Sequence, residues 1–167
     1  VLPSLDPRSV TASNSIERQF GPMLQAMTAQ RPYAVDIHDI GDFDEDAPVT
    51  LVVGVDDTIN DIGVTIALLG LDSATRHLPI VIAGPVESFD QVGSEILRLA
   101  AFYKLNTRIV FAEGVEDYCD ALEVGVDATN SETVGLVSAH ILPRDDGWFD
   151  QLLAAYSKRG SKVLVSP

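Results

Sequence analysis

Cysteine occurs once in the 167 residues, at Cys119, so no disulfide can form within the chain and its core must hold the fold. A reducing, cytoplasmic setting is the expectation, because small extracellular domains usually staple themselves. Basic residues are scarce too: 11 Lys and Arg stand against 25 Asp and Glu, a net charge of −14. That balance excludes a protein built to grip nucleic-acid phosphates, which needs patches of Lys and Arg. It equally opposes docking on anionic lipid. No apolar run approaches the roughly 18 residues of a membrane span. The opening Val1-Leu2-Pro3-Ser4 lacks the basic start and apolar core of a secretory leader. The sequence begins without Met and closes on Lys162-Val163-Leu164-Val165-Ser166-Pro167, a run that reads as a strand. The expectation is a piece of a longer protein, whose remainder is a candidate partner.

What is present is ordinary for a globular domain: 46% hydrophobic and 22% charged residues, in a chain long enough for one core. Residues 1–13 read as a loose lead-in. Ile16, Phe20, Met23, Leu24 and Met27 recur at helical spacing and predict a helix over 15–30, interrupted at Gly21-Pro22. Residues 36–48 are acidic and read as a solvated linker. Residues 1–48 are thus expected to be a helix and linker packing on a domain at 49–167.

From residue 49 the period changes. Residues 49–55 form an apolar, β-branched run, as in a strand buried on both faces. Further strands are predicted at 79–83, 107–111, 133–137 and 162–165. Helices are predicted between them at 61–73, 90–104, 115–128 and 145–157. Strands alternating with helices imply crossovers and a mainly parallel sheet, a three-layer α/β/α fold.

In such sheets the ligand crevice lies beyond the carboxyl ends of the strands. Those ends are 54–58, 84–88, 112–116 and 138–140. Gly54-Val55-Asp56-Asp57-Thr58 matches the second half of a phosphatase nucleophile loop. Its nucleophile position is Gly54, which cannot form an aspartyl-phosphate, so the acidic pair reads as a strand end leading into a helix. Ala83-Gly84-Pro85-Val86-Glu87-Ser88 lacks a dinucleotide fingerprint and reads as a turn with Ser88 as helix cap. No two of His38, His77 and His140 stand at metal-ligand spacing. His140 nevertheless follows a buried strand at the ligand edge. Cys119, between Tyr118 and Asp120, reads as a buried, inert thiol within a helix.

The stretch from Ala121 to Leu152 resembles family 2 glycosyltransferases of the GT-A fold. There a helix with an Ala-x-Asn-x-Gly pattern precedes Gly-Glu, an apolar strand, an Asp-x-Asp motif, a Pro and a Gly-Trp helix start. Ala121, Gly125, Glu132, Pro143, Gly147 and Trp148 fall in step, with Glu123 at the Asn position. The resemblance implies a GT-A-like fold and a nucleotide-sugar held in a cleft lined by Gly54, Val55, Asp56, Gly84, Glu113, Ser138 and His140. It also implies a divalent cation, Mn or Mg, against the diphosphate. The chain departs from the family at two acidic motifs. Ser138-Ala139-His140 replaces Asp-x-Asp, leaving His140 as the candidate metal ligand, and Ala83-Gly84-Pro85 stands at the acidic turn. Two expectations follow: a nucleotide-sugar-binding domain, transferring a hexosyl group if active, or a non-catalytic α/β interaction module of a larger protein.

Overall fold

The computed structural model describes residues 32–55, 62–88, 92–138 and 145–159, and five strands and four α-helices follow one another in them. They are β1 (Tyr33–Ile40), β2 (Val49–Gly54), α1 (Ile62–Leu71), β3 (Ile80–Pro85), α2 (Ser94–Tyr103), β4 (Thr107–Glu113), α3 (Tyr118–Asp127), β5 (Thr133–Ser138) and α4 (Trp148–Arg159). The helix expected at 15–30, the strand expected at 162–165, and Asp56 and His140 lie outside the described residues.

The strands form one five-stranded sheet in the order β1-β4-β3-β2-β5. β2 is parallel to β3 and to β5, and β3 to β4. The apolar runs explain this burial. Leu51 and Val53 of β2 face one way and Val52 the other, and none is more than 1% exposed. On one face Leu51, Val53, Ile82 and Phe111 pack with Ile62 and Ile66 of α1, Ile96 of α2 and Phe149 of α4. On the other, Val52, Val81, Ala83 and Val110 pack with Val124 of α3. The connections β2-α1-β3 and β3-α2-β4 keep their helices on the first face. The return from β4 to β5 carries α3 across the second, as right-handed crossovers in opposite directions require. The α/β class and the helix-covered sheet are as the sequence indicates.

Residues 33–40 are not part of a linker. They form β1, antiparallel to β4, with Ile37 opposite Val110 and Ile40 opposite Thr107. The strand hides in the sequence because its pattern is inverted. Tyr33, Val35 and Ile37 are exposed, whereas Asp36, His38 and Ile40 take the half-buried positions. His38 Nε2 stands 3.0 Å from Asp36 Oδ2, so the polar pair satisfies itself beside the sheet.

Arg108 of β4 gathers two more carboxylates of the acidic stretch. Its guanidinium donates to both carboxylate oxygens of Asp39, at 2.8 and 2.9 Å, to Glu45 at 3.0 Å and to the Ala128 carbonyl at 3.0 Å. It also stacks 4.5 Å from the Phe43 ring centre. The Arg108 hydrogen bonds hold the Asp39 carboxyl below its ordinary range, and Asp39 above all raises the guanidinium in turn. A carboxyl depressed in the folded state stabilises above its unfolded value, near pH 4, and loses that contribution as pH falls through the folded one. Arg108→Met should therefore cost about 1–2 kcal/mol at neutral pH, modest because the partners are exposed. It should also flatten the loss of stability between about pH 5 and 3. Urea titrations across that range would show it, and parallel curves for both proteins would refute the linkage.

Candidate ligand crevice at the sheet switch point

β2 connects through α1 to β3 on one side, while β5 flanks it on the other. In open α/β sheets, ligands bind beyond the carboxyl ends of the strands where the order reverses. In this sheet the order reverses between β2 and β5, where Gly54 is directly paired with Ser138. Two of the expected cleft residues, far apart in sequence, thus meet at the point the topology favours.

Gly54 is required by what crosses it. A Cβ there would lie 2.7 Å from Tyr118 Cε2 and 3.1 Å from Leu122 Cδ2, so a bare backbone lets the first turn of α3 lie over the end of β2. Val55 is 2% exposed and donates its N–H to the Ala83 carbonyl at 2.8 Å. A Cβ on Gly84 would stand 3.1 Å from Val55 Cβ. Val55 and Gly84 therefore pack on one another, buried at the ends of β2 and β3. Glu113 is placed apart. β3 separates its strand from β2, a spacing of about 10 Å. Its carboxylate instead accepts a hydrogen bond from the Tyr33 hydroxyl, which pushes the Tyr33 phenol up.

The start of α3 also stands at this edge. Asp117 caps it, its Oδ1 accepting from the N–H groups of Cys119 at 2.7 Å and Asp120 at 3.1 Å. Asp120 accepts from the Glu116 N–H at 2.9 Å. Helix N-termini of this kind readily receive phosphate, but here the chain's own carboxylates take the donors. Cys119, expected to be buried mid-helix, is exposed in the first turn, because Asp117 starts the helix at Tyr118. Ser88, expected to cap α2, ends a 3-10 turn at Val86–Ser88, and α2 begins at Ser94.

Electrostatics at the crevice are one-sided. Residues 112–120 carry Glu113, Glu116, Asp117 and Asp120, and none of 49–55, 84–88, 112–120 and 133–138 is Lys or Arg. Arg76, Lys104 and Arg108 lie near the starts of β3 and β4, at the opposite end of the parallel strands. A diphosphate would meet like charge unless a cation came with it. Among the described residues, no group of three or more His, Cys, Asp and Glu side chains is arranged to hold a metal ion. The described residues do not by themselves form a cation site.

A concavity of about 300 Å³ lies between β5 and α4, lined among others by Val134, Leu136, Trp148, Leu152 and Tyr156. Sequence reasoning did not single it out. The first turn of α4 is fixed from α1: Asp72 Oδ2 accepts from the Gly147 N–H at 2.7 Å, and Asp146 Oδ1 from the Ser73 N–H at 2.8 Å. That backbone bond holds the Asp146 carboxyl below its ordinary range.

Comparison with protein-family models, with curated proteins and with solved structures finds no match to this chain. Among the described residues, no helix is long and apolar enough to cross a membrane.

Proposed function

We propose that this domain binds a nucleotide-sugar in the crevice between the carboxyl ends of β2 and β5, as a GT-A-like domain. The observation that carries the reading is the register of Gly54 beside Ser138 at the switch point of a parallel sheet. The resemblance over Ala121–Leu152 supplies the ligand class. The acidic rim makes a divalent cation, Mn or Mg, a necessary companion of the diphosphate, with His140 as its candidate protein ligand. The transfer of a hexosyl group belongs to this reading only if the rest of the machinery lies elsewhere in a longer protein.

Calorimetric titration with UDP, GDP and their sugars, with and without Mn²⁺, tests it. Binding should need the cation. Ser138→Tyr, which places a ring at the half-exposed end of β5, should weaken binding by at least about tenfold without unfolding the sheet. The absence of binding under every condition would remove the proposal.

A second reading has its own support. The carboxylates at the start of α3 fill its N-terminal donors, and like charge lines the crevice. Both suit a non-catalytic α/β interaction module. A stably folded chain that binds no nucleotide, with or without cation, would favour it.

A further inference from the structure

The two edges of the sheet are built differently. β1 is guarded: its register breaks between Ala34 and Asp36, and it carries Asp36, His38 and Asp39. Breaks and charges of this kind keep an edge from pairing with a foreign strand. β5 has none of them. Thr133–Ser138 contains no charge and no proline, and it pairs with β2 residue for residue without a shift. No described strand covers its outer side. Apolar surface flanks that side above and below. Leu136 is 53% exposed on the face α3 leaves bare, and half-buried Trp148, Leu152 and Tyr156 wall the groove on the other.

We propose that this edge is where a second copy of the chain docks, β5 against β5, antiparallel, so that the two sheets become continuous. Charge argues for a copy rather than an unrelated partner. The net charge of −14 would draw a basic partner to the acidic surfaces, but among the described residues Glu132 is the one charged residue lining the groove, too little to select one. Two copies repel over most of their surfaces and can approach where charge is missing.

The strand also complements itself. A two-fold axis normal to the sheet pairs residues that point to the same face. Centred on Gly135, it sets Val134 opposite Leu136 of the second copy and Thr133 opposite Val137. Gly135 meets its own counterpart. Its missing side chain is what admits the Phe149 ring and Leu51 beside it, Phe149 Cε2 lying 2.7 Å from where a Cβ would stand. The bare backbone at the axis thus lets α4 of each copy lie close on its own strand.

Sedimentation equilibrium of the full chain over a range of concentrations tests the proposal. The mass should double from 17.9 kDa as concentration rises. Added salt should strengthen the association, because it screens the repulsion of two like-charged bodies. Leu136→Lys and Val134→Lys should each weaken it by at least about tenfold, as edge lysines do. Unchanged melting curves would show that these variants still fold. Amide exchange in β5 should slow as concentration rises. A chain monomeric at every concentration overturns the proposal, whether its β5 amides exchange fast, as on a bare edge, or slowly, as when other residues of the same chain cover them. So does a dimer that both lysine variants leave intact, or one that salt dissolves.

Discussion

Valine at position 125 should cost the protein about 3 kcal/mol and lower its melting temperature by roughly 10 °C. Gly125 sits on the buried side of α3, where a Cβ would run into Val52 Cγ1 and approach Ala83 Cβ at 3.2 Å. Val52 and Ala83 are both 0% exposed, in neighbouring strands, and have no free space to yield into. The helix must therefore lift or the sheet must bend. Alanine provides a graded control. It gains about 1 kcal/mol of helix propensity over glycine, so its net cost should be smaller, about 1 kcal/mol. Urea melts of the three proteins measure the series. A valine variant as stable as the parent would mean that α3 does not lie on β2.

The second large effect concerns Asp72, 8% exposed at the end of α1. Oδ1 accepts from the Ala74 and Thr75 N–H groups, each at 2.9 Å, and Oδ2 from the Gly147 N–H at 2.7 Å. Asp72→Ala leaves three backbone donors without that acceptor and should cost about 2–4 kcal/mol. Asp72→Asn is more discriminating. Its amide oxygen can still serve Ala74 and Thr75, but its NH₂ then faces a donor at Gly147. That variant should free α4 while sparing α1. Trp148, the sole tryptophan, begins α4 and reports the difference. Its emission should shift to the red in both variants, whereas the melting temperature should drop markedly in the alanine variant alone. Unshifted emission in both would refute the tie.

What could be read in advance was the part that burial writes into local sequence. β2, β3 and β4 are covered on both faces, so each carries an apolar run at its centre; α1 is apolar nearly all round, and α2 carries an apolar stripe. β1 escaped because Val35 and Ile37 are exposed while Asp36 and His38 take half-buried positions, which local pattern cannot reveal. The start of α3 was misplaced because Asp117 overrides a weak apolar periodicity before it, and Cys119 moved with it. For the candidate site, the local sequence marks the strand ends but not their neighbours. Strand order decided which ends meet: it brought Gly54 to Ser138 and left Glu113 beyond β3. The groove beside β5 depends wholly on that order, since nothing local in Thr133–Ser138 says which strand will stand at an edge.

The place of β1 has a consequence for how the chain acquires its structure. Tyr33 is synthesised 80 residues ahead of its partner Glu113, and the parallel strands β2 and β3 are made in between. Such distant pairings form slowly, because loop closure precedes any gain from contact. During synthesis β1 must wait, unpaired, while the neighbouring strands assemble. The break at Ala34 and the charges that follow then act before the sheet is finished as well as after. They keep the earliest strand from adhering to the wrong edge, the unguarded β5 of another nascent chain included, until β4 arrives to receive it.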